Sequence, residues 1–218
     1  MNRFALGFIG SFLLLGAAFG SEEAPVPPKP LFRPLVPEKV VCKVIITRPA
    51  LERLAKAGKL PSGLPGIERE REITPGGKIT RVAQKFTDGG NLTAYYADGM
   101  ALVENAKGNP EIHKPKGETW ELDLSETSFP ELAWVTEATY KGIEKRGDHE
   151  FHCYESNDAH SRPQRLYVHT NNLMPALFES EAGRYAYSYR AGSGETISLP
   201  PKLTEAWQIY RKSMGLHH

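Results

Sequence analysis

Imidazole, thiol and carboxylate side chains crowd into one short stretch, Asp148, His149, Glu150, His152 and Cys153, with His160 just beyond it. These are the ligand types that bind zinc or copper. Their spacing works against convergence: along a strand Glu150 and His152 share one face while His149 and Cys153 point to the other, and the helical H-E-x-x-H arrangement is missing. The stretch therefore reads as a solvated strand end, and no metal is assigned to it. Cys153 beside His149 or His160 has the residue types of a nucleophile and its base, yet no activating context or oxyanion hole accompanies it. Arg146-Gly147-Asp148 reads as a hairpin turn, which needs a glycine between its polar neighbours. Gly192-Ser193-Gly194 is too short for a phosphate loop. Glu118, Glu121, Asp123 and Glu126 form no recognisable acid/base pair and read as an exposed face. No catalytic residue and no cofactor is assigned, and the chain reads as non-enzymatic.

Cys42 and Cys153 are the only cysteines. In an exported chain an even count reads first as a disulfide, and each falls on the apolar-rich face of its strand, Cys42 with Val44 and Cys153 with Phe151. A bond closing a loop of roughly 110 residues would stabilise the fold by up to about 4.7 kcal/mol in the chain-entropy model. Two separate buried thiols are the alternative. The aromatic residues Trp134, Tyr185, Tyr187, Tyr189 and Trp207 are candidates for lining an apolar ligand groove; ordinary packing of a sheet against a helix explains the same pattern.

Positioning these residues falls to a series of short strands. Lys39 to Thr47 alternates, with Val40, Cys42, Val44 and Ile46 on one face. Pro49 then suits a first helical position, and Leu51, Leu54 and Ala55 form a stripe that ends at Gly58. Pro61, Gly63, Pro65 and Gly66 make a loop, and the alternating charges of Glu68 to Thr74 read as an exposed strand or a loop. From Lys78 a meander is expected: Ile79 to Thr87, Leu92 to Ala97 and Met100 to Asn105, separated by Asp88-Gly89-Gly90-Asn91 and Asp98-Gly99. Trp120 to Leu124 adds a further candidate strand. Phe129 to Trp134 fits a short helical turn or a bent strand. Thr136 to Lys145, Glu150 to Ser156, Leu166 to His169, Pro175 to Ser180 and the Tyr185 to Tyr189 run continue the strands. Pro200-Pro201 opens a helix whose Leu203, Trp207, Tyr210 and Met214 recur on one face. Eight or nine strands with two short helices predict a mainly β fold, a curved antiparallel sheet; half-barrel, closed barrel and sandwich all fit the pattern.

The N-terminal region sets the compartment. Arg3, the apolar run Phe4 to Ala18 and Ala18-Phe19-Gly20 before Ser21 read as a signal peptide over residues 1–20. The run is too short and too interrupted by glycine for a membrane span. Residues 21–38 carry Pro25, Pro27, Pro28, Pro30, Pro34 and Pro37 and read as a proline-rich linker, leaving 39–218 as a single antiparallel β domain. Periplasmic or secreted localisation follows. The formal net charge of +1, with no long like-charge block, argues against nucleic acid and against a polybasic membrane patch.

Taken together, Tyr140-Lys141-Gly142-Ile143, the hairpin into His152-Cys153-Tyr154, the run Leu166-Tyr167-Val168-His169-Thr170 with Leu173-x-Pro175, and Tyr185 to Tyr189 resemble the superfamily of outer-membrane lipoprotein carriers and their relatives (LolA/LolB-like). That resemblance implies a half-barrel closed by helices over an apolar cavity, here under the helix near Trp207, and a lipid or lipoprotein acyl chain as partner, without catalysis. A structural or interaction protein with a packed core, presented to an envelope protein partner by the proline-rich stretch, is the second reading. An exported metal-dependent hydrolase on the Asp148 to His160 hairpin is a third.

Overall fold

The computed structural model describes residues 25–59, 68–86, 89–105, 107–114, 127–194 and 196–215. The signal peptide, the 61–66 loop and the 120–124 strand expected from the sequence lie outside these residues. Among the described residues eleven strands, rather than eight or nine, form one antiparallel sheet: β1 (Val40–Thr47), β2 (Glu68–Gly76), β3 (Ile79–Phe86), β4 (Asn91–Ala97), β5 (Met100–Glu104), β6 (Pro110–His113), β7 (Tyr140–Arg146), β8 (His149–Asn157), β9 (Pro163–His169), β10 (Pro175–Ser180) and β11 (Arg184–Ala191). Turn chemistry sets the local pairing. Asp98 (φ 47°) and Gly99 (φ 72°) supply the two left-handed residues between paired Ala97 and Met100, and Gly147 (φ 61°) opens the two-residue turn between paired Arg146 and His149.

The sheet runs β6-β5-β4-β3-β2-β1-β11-β10-β9-β8-β7. The first and last strands therefore meet at its centre, from Val40 opposite Ala191 to Thr47 opposite Arg184, and the mid-chain strands β6 and β7 become its two edges. A sheet this wide accumulates strand twist and curls. The result is an open half-barrel, neither a closed barrel nor a sandwich.

Side-chain alternation divides the sheet into a core face and an outer face. On the core face lie Cys42, Val44 and Ile46 of β1, Ile73 of β2, Val82 of β3, Tyr154 of β8, Leu166 and Val168 of β9, Phe178 of β10 and Tyr187 of β11, all part of one buried cluster. Among the described residues, the outer face carries its cover on the β1–β6 side. The chain leaving β11 crosses β2 so closely that a Cβ on Gly76 would come within 2.5 Å of Ile197 Cγ1. It then enters helix α2 (Pro201–Ser213), which buries Leu203 and Trp207 against Ala97 and Leu102. Helix α1 (Pro49–Lys56) follows β1 as expected, but its stripe is only partly covered, with Leu54 39% exposed. Among the described residues no helix is long and apolar enough to cross a membrane.

The core face is covered by two irregular segments. Residues 25–38, expected to be a spacer, lie against the sheet: Tyr154 Oη donates to the Leu31 carbonyl (2.6 Å), the Arg33 amide donates to the Leu173 carbonyl (2.7 Å), and Val36 is 5% exposed. Proline density removes donors, but it leaves Leu31, Phe32 and Val36 free to bury apolar surface, and they do. The second segment, 127–135, is a 3₁₀ turn at Pro130–Leu132 flanked by Phe129 and Trp134; Phe129 and Leu132 are fully buried. This settles the choice between a helical turn and a bent strand. The two segments clasp each other, because the Ser128 amide donates to the Pro34 carbonyl (2.8 Å) and the Val36 amide to Ser128 Oγ (3.1 Å).

Candidate functional site: the covered core face

The period of two on β11 places Tyr185, Tyr187 and Tyr189 opposite Ile46, Val44 and Cys42, so the three rings stand together on the core face. Phe178 of β10 packs on Tyr185 with ring centroids 5.3 Å apart, and Trp134 of the cover packs on Phe178 at 6.0 Å. Phe129 meets Tyr187 edge-on, at 5.5 Å and 88°, the geometry that ring quadrupoles favour. Tyr189 Oη donates to the Pro175 carbonyl at 2.7 Å. Trp134 Nε1 is buried without a hydrogen-bond acceptor among the described residues.

One ion pair sits inside this aromatic surface. Arg71 Nη2 donates to Glu131 Oε1 at 2.6 Å, and Tyr187 Oη donates to the same oxygen at 2.7 Å; the Arg71 side chain is 1% exposed and that of Glu131 9%. Burial opposes the Arg71 charge, but the Glu131 carboxylate outweighs it and holds the guanidinium above its ordinary pKa. Burial, reinforced by Glu131, pushes the Tyr187 phenol up, and burial pushes Tyr189 up as well. Both phenols are therefore neutral donors at neutral pH. The site combines flat apolar rings with an internally neutralised charge pair.

The sequence reading missed Arg71, Glu131 and Phe129. Arg71 is two residues from the buried Ile73 and shares its face, a period-two signal masked by the run of charges from Glu68 to Glu72. Of the five aromatic residues expected to line a groove, Trp134, Tyr185, Tyr187 and Tyr189 come together. Trp207 does not. It lies on the outer face, stacked on Tyr210 at 5.6 Å and packed with Leu203 against Leu102, so the space under that helix is filled.

The two cysteines do not bond: both thiols are free and buried. Cys42 is on the core face with Val44, whereas Cys153 pairs with Tyr167 on the outer face of β8, with the sheet between them. Burial pushes the Cys42 thiol up to about 12 and, with help from the Glu155 carboxylate, Cys153 up to about 11. At pH 8 neither is a thiolate, so iodoacetamide should leave the native protein unlabelled and add two labels after denaturation without reduction. Labelling that requires prior reduction would reinstate the disulfide.

The histidines separate as the alternation predicted. His149 and Cys153 face outward, His152 Nδ1 meets Tyr140 Oη on the core face at 3.0 Å, and the His160 amide donates to Asp158 in the β8–β9 loop at 2.8 Å. No three metal-ligating groups come together among the described residues. On the outer face a groove of about 810 Å³ is lined by Arg53, Lys141, Arg165, Tyr167 and Glu179 among others. It is open and rimmed by charged side chains, and the Arg146 guanidinium lies over the Tyr167 ring at 4.3 Å. That groove does not suit an apolar ligand.

No family model matches the chain, and no curated protein matches it. Among solved structures it is similar to a LolA superfamily protein from Nitrosomonas europaea, with 10% identity over 77% of this chain and 90% of that one and a TM-score of 0.33.

Proposed function

We propose that the protein is an exported, non-enzymatic binder of an acyl chain or a comparable extended apolar ligand, taken up on the core face of the half-barrel when its cover moves aside. The observation that carries this reading is the cover itself. The aromatic face is closed by two irregular segments that offer Leu31, Phe32, Val36, Phe129 and Leu132, apolar side chains that stand where a ligand chain would stand. Its amphipathic alternative, a helix, is on the other face. The Arg3-led apolar stretch from Phe4 to Ala18 supports export to the periplasm or beyond, and a lipid-bearing envelope protein is the partner this reading implies.

A packed scaffold for an envelope partner is the second reading, favoured by the completeness of the cover, with Phe129 at 0% and Leu132 at 1% exposure. Native mass spectrometry of protein purified from its exporting host separates the two. Acyl-chain or lipid adducts, together with fluorescence enhancement of N-phenyl-1-naphthylamine that palmitate reverses, are expected for the binder. A ligand-free mass in every preparation and no enhancement of the fluorophore would leave the scaffold.

A further inference from the structure

We infer that residues 25–37 are an intramolecular occupant of the apolar-chain site, a strap that must leave before ligand enters. The inference rests on the apolar-binder reading and assigns its regulation to a named segment. Leu31, Phe32 and Val36 pack against the buried core cluster that includes Tyr154, Leu166, Val168 and Met174. At one end Pro25 lies beside the β7 edge, 3.6 Å from the position of a Cβ on Gly142. At the other the chain enters β1, so displacement needs no break in the sheet.

The chemistry of the strap suits reversible seating. Pro25, Pro27, Pro28, Pro30, Pro34 and Pro37 have no amide hydrogen, so lifting the segment orphans few donors. Hydrogen bonds hold it through backbone groups of the strap, the three shortest being Tyr154 Oη to Leu31 O (2.6 Å), Arg33 N to Leu173 O (2.7 Å) and Ser128 N to Pro34 O (2.8 Å). Val36 N to Ser128 Oγ (3.1 Å) and Thr127 Oγ1 to Pro34 O (3.0 Å) complete the seat. Proline also keeps the released strap extended, which limits the entropy gained on release and keeps it close to its site.

Only the fraction of molecules with the strap displaced can bind, so the apparent affinity scales with that fraction. The test uses the full chain and N-phenyl-1-naphthylamine as probe. Arg33→Cys with Asn171→Cys places two exposed thiols near the Arg33–Leu173 bond, to be joined by a short bismaleimide while Cys42 and Cys153 stay buried. Cross-linking is expected to abolish probe binding, and Tyr154→Phe, which removes one strap bond, to tighten it by about three- to tenfold. Equal binding before and after cross-linking would overturn the strap while leaving the apolar-binder reading intact. Absence of binding in the wild type and in Tyr154→Phe alike would overturn both. Should Tyr154→Phe fail to fold, the cross-linking comparison decides alone.

Discussion

Replacing Glu131 with alanine should lower the stability of the folded chain by about 3–5 kcal/mol, the cost of breaking a buried ion pair by removing one partner. Arg71 is 1% exposed, and the Glu131 carboxylate that faces it also accepts the Tyr187 hydroxyl. The variant thus removes the acceptor that the Arg71 guanidinium and the Tyr187 hydroxyl share. The converse substitution is informative: Arg71→Met, Glu131→Leu and Tyr187→Phe together replace the polar trio by apolar groups of similar size, and such exchanges are often neutral or stabilising. Urea unfolding should show the single variant with a much lower midpoint at unchanged m-value and the triple variant close to wild type. A loss below about 1 kcal/mol for Glu131→Ala would mean that water reaches Arg71 and that the cover is already open in solution.

On the proposed reading, the pair bears on ligand entry. Glu131 belongs to the cover and Arg71 to the sheet, so their bond holds the 3₁₀ turn down over the tyrosines. If the triple variant is as stable as wild type, the ion pair is retained for something other than stability. A switch between a closed and an open cover is such a role, and the strap at residues 31–36 lies next to it through Ser128.

Local patterns in the sequence carry the strands because alternation and turn chemistry are local properties. β1, the Asp98-Gly99 turn and the Arg146 to His149 hairpin all stand where period-two runs and left-handed glycines put them. Pairing across the chain is not a local property. Nothing in Val40–Thr47 or Arg184–Ala191 marks them as partners, so the central seam and the choice of edges emerge only in the structure. The same limit governs the faces. Alternation along β8 separates Glu150 and His152 from His149 and Cys153, but which set faces the core depends on the neighbours; Phe151 and Cys153, the more apolar set, face outward, and Tyr154 faces in. The expected disulfide failed on that point. Proline density likewise reports backbone extension and says nothing of whether Leu31 and Phe32 find a surface to cover.

Trp207→Ala should cost about 3–5 kcal/mol, as for other large buried aromatic residues, and yet leave the core-face site untouched. The ring is 8% exposed, and the helix that carries it packs mainly on β5 and β6, with Ala97 of β4 beside them. β6 is four residues long and is an edge strand among the described residues, and α2 packs on it from the outer face. Losing the indole should therefore act locally: amides of β5, β6 and α2 exchange faster with solvent, those of β8 and β9 keep their protection, and N-phenyl-1-naphthylamine binds as it does to wild type. Trp207→Ala and Glu131→Ala lie on opposite faces with no shared partner, so their effects should add within about 0.5 kcal/mol. A change in probe affinity on loss of Trp207 would reassign the helix to the ligand site, against the packing of Leu203 and Trp207 on Leu102. Unchanged affinity with accelerated exchange at β6 would instead fix the division of labour: a helix seated permanently on one end of the outer face, and a core face closed by segments able to leave.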